Sequence, residues 1–301
     1  MIVFVLSGGG NRGPIEVGAL QSLLAHDIRP DFVVGTSAGS LNGAYFCAHP
    51  DAAGVEELGR IWIDAKRQDA FPGHPIMWAL RALFGGDGLV SNKALMNTVR
   101  KYLPKESSTF GDLTIPLYVT TADLVTAQLI VYGDDRSVSL LEPVVASAAF
   151  PLVIDPVIFE GHQLTDGGVV AYAAIEVAIQ RGATELYVID LSPVIAKSEP
   201  VHGIHNVGWQ MFNVALREHL LDDLRDAMTA GVTLHHVNIP AFSGIPLFDF
   251  SQAREMIDAG RKAMDAYLDA PRPNTIHSAA TAQAASLKPP PGGRFMKWGV
   301  K

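Results

Sequence analysis

Phe32-Val33-Val34-Gly35-Thr36-Ser37-Ala38-Gly39-Ser40-Leu41-Asn42-Gly43-Ala44-Tyr45-Phe46-Cys47-Ala48 is the stretch whose reading decides the fold. Phe32 to Val34 is a short apolar strand, Ser40 to Ala48 has the pattern of a helix, and Gly35-Thr36-Ser37-Ala38-Gly39 joins them. A serine hydroxyl is a poor nucleophile unless a turn holds it clear of its own backbone and beside a base. Gly-x-Ser-x-Gly between strand and helix does the first of these jobs. Gly35 and Gly39 remove Cβ atoms that would clash in so tight a turn. The helix that follows points free N–H groups and its positive dipole end toward charge developing at Ser37. A glycine-flanked loop with no chemistry fits the pentapeptide alone; the strand before it and the helix after it favour a nucleophile elbow.

The chain opens with a similar unit. Ile2 to Leu6 is a strand, Gly8-Gly9-Gly10-Asn11-Arg12-Gly13 a glycine-rich loop, and Pro14 stands where a first helical residue would. Ile15, Ala19, Leu20, Leu23 and Leu24 then form a helical stripe. The loop also satisfies the Gly-x-Gly-x-x-Gly pattern of a dinucleotide site. That fold wants an acid at the end of the second strand to hold a ribose, whereas Asp31 precedes the strand and Gly35-Thr36-Ser37 follows it. An oxyanion hole built from the loop's backbone N–H groups explains both motifs, and each such donor is worth about 3 kcal/mol in a transition state. Arg12 has three candidate roles: bracing the loop, meeting a lipid phosphate, or a surface ion pair.

Further strands are expected at Leu117 to Thr121, Gln128 to Tyr132 and Leu186 to Asp190. Helices are expected at Leu141 to Ala148 and at Ala173 to Arg181, the latter closed by Gly182. Strands alternating with helices predict an α/β fold, a three-layer α/β/α sandwich around a mainly parallel central sheet. Residues 65–92 break the rhythm with Pro72, Pro75, several glycines and an oily run from Ile76 to Phe84, and read as an apolar insertion. Ile76, Met77, Trp78, Leu80, Leu83 and Phe84 suit an amphipathic cover over an apolar pocket, a surface that enters lipid, or ordinary core packing. The catalytic domain is expected over residues 1–270, and residues 271–301 read as a Pro/Ala-rich flexible tail.

A third motif, Asp166-Gly167-Gly168, follows the short strand Gln163-Leu164-Thr165 and by itself is an ordinary turn. Taken in order, Gly8 to Gly13, Gly35 to Gly39 and Asp166 to Gly168 resemble the patatin-like phospholipase family. Ala146-Ser147-Ala148-Ala149-Phe150-Pro151 and Phe248-Asp249-Phe250-Ser251 are similar to further blocks of that family, so the resemblance covers about residues 1–268. It implies a lipid acyl hydrolase with a Ser-Asp dyad, Ser37 as nucleophile and Asp166 as proton acceptor. The glycine loop, Gly8, Gly9, Gly10, Asn11, Arg12 and Gly13, is then the oxyanion hole. No metal and no organic cofactor are implied. Where many members carry Asn and Pro after the Asp-Gly-Gly, this chain has Tyr172 and Ala174.

Bulk properties narrow the alternatives. A net charge of −8 and a pI near 5.6 disfavour nucleic acid, whose affinity rests on Lys and Arg neutralising phosphates. The single Cys47 forms no internal disulfide and reads as small core packing. Mean hydropathy is +0.20, yet no uncharged apolar run reaches the length of a bilayer, and Met1 to Leu6 lacks the features of a signal peptide. A cytoplasmic protein with peripheral contact to a membrane or micelle is expected. Two rival readings stand: a Ser-His-Asp carboxylesterase on an α/β-hydrolase fold, and a non-catalytic nucleotide-binding or regulatory module. For the former, the elbow comes unusually early, and the available histidines, His202, His205, His219, His235, His236 and His277, sit in no motif.

Overall fold

The computed structural model describes residues 1–104, 106–193, 200–242 and 244–276. Strands β1 (Ile2–Leu6), β2 (Phe32–Thr36), β3 (Leu117–Asp123), β4 (Gln128–Tyr132), β5 (Val157–Phe159), β6 (His162–Asp166), β7 (Glu185–Asp190) and β8 (Thr233–Asn238) form one sheet. The helices are α1 (Gly13–Ala25), α2 (Ala38–Ala48), α3 (Ala52–Asp64), α4 (Arg67–Ala70), α5 (Pro75–Leu83) and α6 (Asn92–Tyr102). They continue with α7 (Leu141–Ser147), α8 (Ile175–Gln180), α9 (Ile204–Thr229) and α10 (Ala253–Asp269).

β1 and β2 are buried almost throughout because they lie inside a parallel sheet with helices on both faces, which is why they read as unbroken apolar runs. Along β1 the side chains still alternate. Phe4 and Leu6 enter one core, which includes residues of α1, α2, α3, α7 and α10; Val3 and Val5 enter the other, with α8 and the C-terminal half of α9. The fold is therefore a three-layer α/β/α arrangement. Four pairings, β3–β2, β2–β1, β1–β7 and β7–β8, are parallel; β4, β5 and β6 add an antiparallel edge.

The register on β3 positions the site. β4 runs along one flank of β3, pairing Tyr132 with Val119 and Gln128 with Asp123. The other flank is shared by two strands. β2 pairs with its first half, ending with Thr36 opposite Thr120, and β6 pairs antiparallel with its second half, ending with Asp166 opposite Thr121. β2 and β6 thus run toward each other, and their C-terminal ends meet.

The expected strands and helices appear within a few residues of the positions read from sequence. Not foreseen were β8 and the 26-residue α9. Residues 65–92 form an excursion holding α4 and α5, which returns to the body at Val90, bridged to Ile154. Asn274, inside the stretch read as a tail, exchanges two hydrogen bonds with Leu234 at the start of β8 (2.7 and 2.9 Å). Residues 277–301, and with them His277, lie outside the described residues. Cys47 is fully buried, as read from sequence. Among the described residues no helix is long and apolar enough to cross a membrane.

Candidate active site

Ser37 sits at the tip of the β2–α2 turn with φ +55° and ψ −121°, a left-handed conformation that costs a non-glycine residue about 1–3 kcal/mol. The surroundings enforce it. A Cβ on Gly35 would lie 2.6 Å from the Gly39 carbonyl oxygen, and one on Gly39 would lie 2.2 Å from that of Leu6, so strand and helix meet this closely only as glycines. Ser37 N–H donates to the Ser147 hydroxyl (2.8 Å), and the Ser37 carbonyl accepts from Ser40 Oγ (2.7 Å) and Ser40 N (2.9 Å). Sequence reading placed Ser147 in a family-like block but gave it no role; here it holds the elbow from α7.

Asp166, at the end of β6, is buried and 3% exposed. Its backbone N–H donates to Ala149 O (3.1 Å), as does the Thr165 hydroxyl (2.7 Å), so the residues after α7 fix the end of β6 as well as the elbow. Oδ1 accepts from Gly168 N (2.8 Å). Gly167 crosses β3 so closely that a Cβ would stand 2.4 Å from Thr120 O. Burial pushes the Asp166 carboxyl up to about 6, against the opposing effects of a hydrogen bond from the Ser37 side chain and that from Gly168 N–H. The Ser37 hydroxyl and the Asp166 carboxylate therefore face each other at the point where β2 and β6 converge.

The glycine loop leaves β1 and forms a short 3-10 turn, Gly10–Arg12, before α1. Of the six residues expected to form an oxyanion hole, three have their N–H groups already committed. Gly8 donates to Tyr172 O (2.9 Å), Arg12 to Gly9 O (3.2 Å) and Gly13 to Gly10 O. Among the described residues nothing accepts from the N–H groups of Gly9, Gly10 and Asn11. Gly10 has φ +57°, and the Asn11 amide nitrogen donates to Pro246 O (2.9 Å) and Asp249 O (2.6 Å), tethering the loop to the segment before α10. Arg12 Nε reaches Gly9 O at 3.4 Å, which braces the loop. Tyr172, which stands where many members of the family have Asn, is the residue whose carbonyl anchors Gly8.

Beneath the loop, Asn42 of α2 donates to Gly13 O (2.9 Å) and to Glu16 Oε2 (2.8 Å), and accepts from Trp62 Nε1 (2.7 Å). Burial drives the Glu16 carboxyl well above the usual carboxylate range. This network locks α1, α2 and α3 together, and with them the glycine loop and the elbow. Gly10, Asn11, Ser37 and Ala38 open onto a cavity of about 160 Å³ whose walls include Leu41, Leu58, Leu95, Val99 and Phe250.

No histidine is bonded to Ser37 or Asp166 among the described residues. His236 lies inside β8, 1% exposed, with Nε2 3.1 Å from Asp190 Oδ2. β1 and β7 separate β8 from β2, which at about 4.8 Å per strand sets the His236 strand roughly 14 Å from β2 along the sheet. His235 holds Glu185 (3.2 Å) and Tyr267 (2.9 Å). Among the described residues no group of three or more His, Cys, Asp or Glu could hold a metal ion.

A family model, patatin-like phospholipase, matches residues 4–179, a span that contains the elbow, the glycine loop and the Asp-Gly-Gly turn. The chain belongs to the patatin-like phospholipase family. It is 27% identical over 212 residues to patatin-like phospholipase domain-containing protein 6 of Homo sapiens, a match covering 69% of this chain and 14% of that protein. It is 24% identical over 208 residues to lysophospholipase NTE1 of Mycosarcoma maydis, covering 69% of this chain and 10% of that protein. The chain thus spans only a small part of the length of these curated relatives. Among solved structures it is similar to VipD from Legionella pneumophila, at 16% identity and a TM-score of 0.44, covering 88% of this chain and 66% of that one.

The elevated Asp166 carboxyl has a consequence for stability. Below about pH 3 it is protonated in folded and unfolded chains alike; as pH rises, the unfolded chain releases its proton first, and the folded state is progressively destabilised until about pH 7, above which ionisation is nearly complete in both. Raising a carboxyl from 3.8 to about 6 corresponds to about 3 kcal/mol. Asp166→Asn should therefore be more stable than wild type by up to that amount at pH 8, with the difference shrinking to nothing by about pH 3, measured by urea unfolding. A difference that does not change with pH would rule out a buried ionised carboxylate.

Proposed function

We propose that this protein is a lipid acyl hydrolase that cleaves fatty-acyl esters through an acyl-enzyme intermediate, with Ser37 as nucleophile and Asp166 as base. The observation that carries the reading is the meeting of β2 and β6 on one flank of β3, which sets a strained serine against a buried carboxylate at the edge of an apolar cavity. The acyl chain lies in the cavity, with its ester carbonyl at Ser37. Ser37 Oγ attacks the carbonyl carbon as its proton passes to Asp166, and the oxygen that becomes negative is held by N–H groups of Gly9, Gly10 and Asn11, with that of Ala38 at the start of α2. Protonated Asp166 then gives its proton to the departing alcohol oxygen. Water, deprotonated by Asp166, attacks the acyl-enzyme, and Ser37 is regenerated as the fatty acid leaves.

An ordinary carboxylate near 4 is too weak a base for this. Burial that lifts Asp166 to about 6 brings its basicity closer to the task while leaving it ionised at neutral pH. The roughly 14 Å between the strand that leads to Ser37 and the strand that carries His236, which is paired with Asp190, argues against a conventional triad.

Ser37→Ala should abolish both labelling by a fluorophosphonate and hydrolysis of a p-nitrophenyl ester. Asp166→Asn should lower kcat nearly as far, and the wild-type kcat/KM should climb with pH through about 6 to a plateau. Full turnover in Ser37→Ala would end the serine-hydrolase reading, and an unaltered rate in Asp166→Asn would end the dyad.

The cavity makes a separate demand. Val99→Trp fills its wall and should lower kcat/KM for a long-chain ester by at least about tenfold relative to the acetyl ester. Equal effects on both chain lengths would place the acyl group elsewhere.

A further inference from the structure

The excursion between α3 and α6 has two properties that packing does not explain. The first is exposed oil. α5 touches the rest of the protein along one edge only. Trp78 packs at a tilt against Phe248 (ring centroids 5.3 Å apart) and donates to Pro72 O (2.9 Å), and Arg81 pairs with Asp155 and donates through Nε to Gly88 O (2.8 Å). On its other sides Ile76 is 64% exposed, Met77 60%, Leu83 78% and, just after it, Phe84 84%. The core-packing reading of this run is thereby corrected: Trp78 is the anchor, and its apolar neighbours face water because an isolated helix has only one side against the body.

The second property is charge. Residues 65–104 hold six basic side chains, Lys66, Arg67, Arg81, Lys93, Arg100 and Lys101, against only Asp69 and Asp87, in a chain of net charge −8. Arg81 makes the segment's one ion pair among the described residues; the other five bases are exposed. The positive charge lies on elements that also wall the cavity beside Ser37, since Phe71, Leu95, Val99 and Leu103 line it, and the oily α5 lies between them in the chain. α4 and α6 are joined there by the Thr98 hydroxyl donating to Asp69 O (2.7 Å).

We infer that α5 and the basic faces of α4 and α6 dock this protein on an anionic phospholipid surface, setting the cavity over the lipid from which its substrate comes. The inference rests on the lipid-hydrolase reading for its purpose but not for its physics. Apolar side chains of α5 enter the boundary between head groups and acyl chains, and Lys66, Arg67, Lys93, Arg100 and Lys101 face the negative head groups. Neutral bilayers offer the first attraction without the second.

The test uses the full chain carrying Ser37→Ala, which leaves vesicles intact, in a flotation assay with phosphatidylcholine vesicles and with vesicles containing phosphatidylglycerol. Binding should be at least about tenfold tighter to the anionic vesicles and weaken with added salt. Leu83→Ser with Phe84→Ser, and separately Lys93→Glu with Arg100→Glu, should each lower that binding by at least about tenfold. Made in the wild-type background, the same pairs should keep wild-type hydrolysis of a soluble butyrate ester, a readout that judges the catalytic reading independently. Equal affinity for both vesicle types, or unaltered binding in either double variant, would overturn the inference. So would a dimer in solution that Phe84→Ser dissociates, because α5 would then be covered by a second copy.

Discussion

The site depends on one constraint: two strands cannot occupy the same stretch of a third strand's flank. β2 uses β3 as far as Thr120 and β6 begins its pairing at Thr121, so the two chain ends are forced together with nowhere to continue. Each must turn out of the sheet at once. β2 does so through Ser37 and β6 through Gly167, and the functional groups stand at those two turns. Thr36 and Thr120, whose hydroxyls hydrogen-bond at 2.7 Å, hold the β2 side of this junction, and the near contact of Gly167 with Thr120 O holds the other. The sheet's backbone bonds therefore set the separation of serine and carboxylate, and side-chain flexibility has little part in it.

Around that junction the supports converge from separate parts of the chain. The end of α7 serves both halves, because Ser147 receives the Ser37 N–H while Ala149 O receives the Asp166 N–H and the Thr165 hydroxyl. Asn42 and Glu16 bind the helix after the glycine loop to the helix after the elbow, and Asn11 ties the loop to residues 246–249. A buried polar network this connected favours one arrangement, since any shift leaves a donor or acceptor without a partner in low dielectric. Three of the loop's donors are spent on such fixing, and the N–H groups left over are those of Gly9, Gly10 and Asn11.

Legibility in the sequence followed the range of the interaction. The elbow, the glycine loop and the first two strand-to-helix units are local, so apolar periodicity and glycine placement sufficed to read them. Asp166 was marked only through a family resemblance, because its partner Thr121 lies 45 residues earlier and no spacing rule encodes an antiparallel register. Asn42 left no local signal, and neither did the bracing roles of Ser147 and Asn11, because the partners of these polar residues are 20 to 238 residues away. The loop's six residues looked equivalent as donors, and which N–H groups were already taken depended on Tyr172 and on a 3-10 turn. The run Ile76 to Phe84 shows the same limit in another form. Its composition suits a buried helix as well as a surface one, and only the position of α5 against Phe248 and Asp155 distinguishes Trp78 from its neighbours.

The strain in this arrangement is concentrated where the chemistry is. Ser37 keeps an unfavourable backbone conformation, and Asp166 is ionised at neutral pH in a site that raises it to about 6. Each costs a few kcal/mol, a large share of the 5–15 kcal/mol that holds a domain folded. Such costs are sustained only by extensive burial elsewhere, and the two cores on either face of β1 supply it. Burial is also what makes the carboxylate basic, so under the proposed mechanism stability and reactivity cannot be tuned apart at Asp166: a more solvated site would fold more firmly and take the serine proton less readily. On that proposal the opening to the cavity must admit an acyl chain without admitting bulk water, which would place the remaining control of reactivity in elements that wall that cavity, among them α3, α4 and α6.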